Sequence, residues 1–210
     1  MEEKENLSPT RQRTLAAIHT AFYELLRKMP FEKITIRNIC DEAKVSKFTF
    51  YNYYCDKYEL AEALEEEFIG GLCTAIEGPE LSEAGNSLRS KNVWNYITDH
   101  AEEYRALTTL TLNGVNFNQY LLERLQKLTQ KQIADGVQRS GKPCTREAAL
   151  FFSHMVAANQ IAELEIIVGG LISRKTLAQY QREAAIQNAQ LLDKIRNIRP
   201  LPPSRKIIKN

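Results

Sequence analysis

Apolar residues recur along this chain at intervals of three and four, between short breaks of glycine and proline. Nowhere do they alternate long enough to read as a strand. Leu15, Ile18, Phe22, Leu25 and Met29 make one face of a helix opening at Ser8-Pro9. Serine suits the N-cap, proline suits the first helical position, and Pro30 stops the run. Three shorter helical pieces follow at 35–43, 46–54 and 56 to about 70. The stretch 78–90 (GPELSEAGNSLRS) reads as a polar connection. Longer helices are expected at 91–112, 117–140, 145–168 and 174–198, separated by Asn113-Gly114, Gly141-Lys142-Pro143 and Gly169-Gly170. Residues 199–210 (RPLPPSRKIIKN) read as a poorly ordered tail. The expectation is an all-α chain with a small unit over 8–68 and a larger helical unit over 69–198.

The window 34–60 holds the most information. Ile36, Ile39, Cys40 and Ala43 form a stripe at i, i+3, i+4 and i+7, with Thr35 placed to cap it. Ser46 caps the next piece, in which Phe50 and Tyr54 share a face and close inward. Asp56 and Glu59 resemble a capping box for the helix after that. Two helices of about two turns joined by three or four residues describe a helix-turn-helix. The opposite face of the second helix carries Phe48, Thr49 and Asn52, flanked by Tyr51 and Tyr53, with Lys47 at its start. Asparagine can pair with adenine, and an apolar group can touch a thymine methyl. Threonine, tyrosine, lysine and helix N-termini hold phosphates, and Lys57 is placed to do the same. The expected partner is double-stranded DNA, with Thr35, Ser46, Lys47, Phe48, Thr49, Tyr51, Asn52, Tyr53 and Lys57 as the candidate contacts.

These residues carry a resemblance. FEKITIRNICDEAKVS and SKFTFYNYYCDKYEL resemble the DNA-binding domain of the TetR family of bacterial regulators. Thr35, Ile39, Ala43, Val45, Ser46, Thr49, Phe50, Tyr51, Tyr53, Lys57 and Leu60 fall in register with its pattern, over the first third of the chain. The resemblance implies a ligand-responsive repressor acting as a homodimer on a palindromic operator. Two positions depart from the pattern: Lys44 and Phe48 stand where glycines are usual. They keep a rival reading open, a small-molecule-binding protein of the same fold that has lost DNA binding.

In the second unit, 145–168 is apolar nearly all round and should be buried on more than one side. With 174–198 it could pair with a copy of itself as a four-helix interface, with Phe152, Met155, Ile166, Leu177 and Leu191 as candidate contacts. A homodimer also answers a need, because one short recognition helix reads too few base pairs to find a site alone. The resemblance implies an effector pocket nearby, for which the candidates are Trp94, Tyr96, His100, Tyr104, Phe117 and Tyr120. Ordinary core positions explain Trp94 and Phe117 as well.

Composition narrows little. Of 210 residues 43% are hydrophobic, enough for a sizeable core, and 28 basic against 26 acidic residues leave a net charge of +2. No apolar run suits a signal peptide or a membrane span, which makes the cytoplasm the expected location. Cys40, Cys55, Cys73 and Cys144 form no C-x-x-C pair, and no metal or other cofactor is expected. Cys55 near Lys57 leaves room for a reactive thiol. Three histidines, with no phosphate loop and no nucleophile motif, give no reason to expect an enzyme.

Overall fold

The computed structural model describes residues 8–77, 88–141 and 143–196. Those residues carry nine α-helices. The 78–87 part of the expected polar connection and the 199–210 tail lie outside them.

The first three helices make the small unit. Helix α1 (Pro9–Lys28) starts at Ser8, whose side chain accepts from the Arg11 N–H. A single 3₁₀ turn, Phe31–Lys33, leads to α2 (Ile36–Ala43). Thr35 and Asn38 cap α2 reciprocally: the Asn38 N–H donates to Thr35 Oγ1 at 3.1 Å and the Thr35 N–H to Asn38 Oδ1 at 2.9 Å. Lys44 then turns the chain at φ 55° and ψ 42°, in the left-handed region. The N–H groups of Lys44 and Val45 both reach the Cys40 carbonyl, the arrangement that closes a helix on a glycine. The glycine-type turn therefore survives with lysine in it. Helix α3 (Lys47–Tyr51) follows, capped by Ser46. It is shorter than the expected 46–54, because the last turn tightens: the Tyr53 N–H already donates to the Phe50 carbonyl at 2.9 Å.

Helix α4 (Lys57–Glu77) joins the two units, running unbroken through residue 68 and through Gly70-Gly71, where the sequence pattern placed a stop. The glycine at 71 makes room for a neighbour. A Cβ there would lie 2.4 Å from the Tyr96 hydroxyl oxygen. The expected single helix 91–112 is instead α5 (Leu88–Asp99), α6 (Ala101–Leu107) and a small hairpin, β1 (Thr111–Leu112) and β2 (Val115–Asn116). The hairpin pairs Thr111 with Asn116 and Leu112 with Val115 around Asn113-Gly114, both at positive φ, the two-residue turn that Asn-Gly favours.

Helices α7 (Phe117–Ser140) and α8 (Arg146–Val168) form a long pair, and α9 (Arg174–Arg196) lies outside α8 and α5. One apolar core runs through both units, from Phe22, Ile39 and Phe50 through Leu64 and Phe68 to Phe117 and Leu125. That continuity fixes the small unit's orientation on the larger one.

Candidate nucleic-acid interface

The inward face of α3 anchors it. Phe50 is fully buried, and the Tyr54 hydroxyl lies 2.7 Å from His19 Nε2 on α1. His19 Nδ1 in turn stands 3.6 Å from Glu67 of α4. The Tyr53 hydroxyl donates to the Arg11 carbonyl at 3.3 Å, tying the end of the turn to α1. With these contacts made inward, the outward face is left to solvent. Phe48 is 77% exposed, and Lys47, Tyr51 and Asn52 are exposed with it. Ser46 Oγ accepts from the Thr49 N–H at 3.0 Å and lies 2.9 Å from Thr49 Oγ1, which holds Thr49 half-buried at the first turn. Thr35 is exposed, but its hydroxyl is engaged by Asn38 at the start of α2.

Lys57 departs from expectation. Its ammonium donates to the Phe31, Glu32 and Ile34 carbonyls at 2.8, 3.2 and 2.9 Å and sits 4.5 Å from the centre of the Phe31 ring. All three donors are spent on the chain, so the ammonium is not available for a phosphate. Burial also pushes its pKa down. Lys57 pins the turn after α1 to the start of α4. Cys55 gives no support to a reactive thiol. Glu59, which accepts from the Cys55 N–H, holds the Cys55 thiol above its ordinary pKa, the direction opposite to activation.

In the larger unit, Trp94 alone of the six expected pocket residues lines the apolar-walled cavity found there. Tyr104 and Phe117 are buried core around Phe68. The Tyr96 hydroxyl donates to the Phe68 carbonyl at 2.8 Å, and His100 stacks on Tyr96 with ring centres 4.4 Å apart. Tyr120 joins Glu66 and Arg124 in a polar clamp between α4 and α7. The cavity, about 980 Å³, lies instead between α4, α5, α8 and α9.

The candidate dimer residues divide in the same way. Phe152, 7% exposed, and Leu177 are core of the single chain, while Met155 and Leu191 are half-buried. Ile166 is exposed at the cavity's edge. Outward-facing apolar side chains on α8 and α9 are Leu150, Phe151, Tyr180 and Ile186. Phe151 and Phe152 are adjacent on α8, yet one faces solvent and the other the core, as 100° per residue requires.

A capped short helix after a tight turn, packed inward and presenting a mixed aromatic, amide and cationic face, defines a helix-turn-helix DNA-binding unit. Residues 18–64 match the family model described as bacterial regulatory proteins, tetR family. The match covers the N-terminal helix-turn-helix domain, which is of the TetR type. No curated protein matches it. Among solved structures, the Dihydroxyacetone kinase operon activator DhaS is similar at 22% identity and a TM-score of 0.54, over 89% of this chain and 98% of that one. A TetR-family regulator from Streptomyces coelicolor A3 is similar at 18% identity and a TM-score of 0.48, over 91% of this chain and 98% of that one. The TetR-family repressor AlkX from a Dietzia strain follows at 18% identity and 0.44, over 85% and 97%.

Proposed function

We propose that this chain is a transcriptional repressor that binds a palindromic operator as a homodimer and releases it in response to a small molecule. The observation that carries the reading is the outward face of α3: Lys47, Phe48, Tyr51 and Asn52 stand free while Phe50 and Tyr54 lock the helix beneath them. Lys47 and Tyr51 hold phosphates. Phe48, Thr49 and Asn52 meet base edges in the major groove. The dimer is supported by the solvent-facing Leu150, Phe151, Tyr180 and Ile186 on α8 and α9, and ligand response by the cavity beside them. Occluding a promoter needs nothing beyond these parts, and no described group suggests a reaction.

The test is selection of bound duplexes from a random pool, then a reporter under the selected site. The selected sequence should be two-fold symmetric with half-site centres separated by about 10 base pairs or a multiple, and the reporter should fall when the protein is present. A reporter that rises would make it an activator. A pool that enriches no sequence would favour the rival, a ligand-binding protein without DNA recognition.

A further inference from the structure

The cavity between α4, α5, α8 and α9 has a one-sided charge. Leu72 of α4, Trp94 of α5 and Leu177 of α9 give it apolar walls, and about 980 Å³ is room for a small organic molecule. Lys91 at the start of α5 and Arg174, Lys175 and Arg182 on α9 stand exposed around it. Among the described residues none of these four has an ion-pair partner. Glu163 is the one acidic residue of the lining, and Gln181 Nε2 donates to its Oε2 at 2.8 Å. Burial holds the Glu163 acid above its ordinary pKa, which weakens the one acidic charge of the described lining. Gln160, also in the lining, has its side-chain oxygen buried without a hydrogen-bond partner among the described residues. A buried acceptor left unpaired is costly, so an occupant bringing a donor gains once the Gln160 side chain turns its oxygen, closed to solvent here, toward the cavity.

We propose that this cavity takes an organic carboxylate. Its apolar body lies against Leu72, Trp94 and Leu177, its carboxylate faces Lys91, Arg174, Lys175 and Arg182, and a hydroxyl on the body donates to Gln160 Oε1. This inference rests on the ligand-responsive reading above and names the chemistry of the effector. A nucleic acid would use the cations but leave the apolar walls empty. A neutral hydrocarbon would fill the walls but leave the cations idle.

Four probes of one chain length separate the possibilities: decanoate, 10-hydroxydecanoate, decanol and decyltrimethylammonium, each titrated calorimetrically into the full chain at fixed ionic strength. The expected order is 10-hydroxydecanoate first and decanoate second, with decanol and the ammonium weaker by about tenfold or more. Arg182→Glu combined with Lys91→Glu should weaken both carboxylates about tenfold and leave decanol unchanged. Gln160→Leu should abolish the preference for the hydroxylated acid, a readout that needs no charge reversal should the double variant fail to fold. Equal or tighter binding of decanol or the ammonium, or no binding of any probe, overturns the proposal. The DNA selection is independent of this result. A selected operator with no carboxylate binding sinks only the ligand class, and carboxylate binding without a selected operator sinks only the DNA reading.

Discussion

Single residues decide how this domain differs from its family. Lys44 sits at φ 55°, where a side chain costs on the order of 1–2 kcal/mol relative to ordinary backbone. Glycine would remove that strain but add unfolded-state freedom, so Lys44→Gly should stabilise the chain by about 0.5–1 kcal/mol in a urea titration. A neutral or destabilising result would mean that the lysine stem makes up the difference. The departure was visible in the sequence as a missing glycine. What the sequence could not show was whether the turn had changed, because only the backbone bonds from Lys44 and Val45 to Cys40 reveal that it had not. Phe48 is the second departure. If its ring meets a thymine methyl, replacing thymine by uracil at one position of each half-site removes a methyl worth ~0.8 kcal/mol, about fourfold in affinity per half-site. Phe48→Ala should bind the thymine and uracil duplexes alike. Equal binding of both by the parent would take Phe48 away from the base edges.

At the scale of elements, what is local was legible. The stripe Ile36, Ile39, Cys40, the caps Thr35 and Ser46 and the inward pair Phe50 and Tyr54 all act within about 20 residues, so spacing alone placed them. The Asn113-Gly114 hairpin was equally local, but its flanking strands of two residues each are too short to show alternation. What depends on a distant partner was not legible. The need for glycine at 71 comes from Tyr96, and Lys57 looks like a phosphate ligand until the Phe31, Glu32 and Ile34 carbonyls are seen around it. Helix α8 tests this directly. Phe152→Glu places a charge in the core and should unfold the chain, whereas Phe151→Glu, at a position 60% exposed, should leave a folded protein of monomer mass by light scattering. A folded dimer with Phe151→Glu would move the interface elsewhere. Helix α4 adds a pH effect. Glu65 is 5% exposed, and burial, with Glu62 and Glu66 adding to it, pushes its acid up to about 7. The folded chain therefore keeps a proton that the unfolded chain releases near pH ~4.3, so stability falls as pH rises between those values and levels off above about 7. Glu65→Gln should melt close to the parent near pH 4.5 and higher than it at pH 8. Parallel melting curves at both would mean that Glu65 ionises normally.

The whole molecule is two units on one core. Because α4 is shared and the apolar cluster is continuous, the helix that carries the recognition face packs on the same core as the larger unit. Its reading as a DNA-binding regulator rests on that face being used. The most direct measurement is the affinity of the full chain for its selected duplex against a scrambled duplex of the same composition, at one stated salt concentration, for the parent and for Lys47→Ala combined with Phe48→Ala. The parent should favour the selected duplex by about 10³-fold or more, and the double variant should lose most of that ratio while keeping its fold. A parent ratio near one, or a double variant that discriminates as well as the parent, would contradict it.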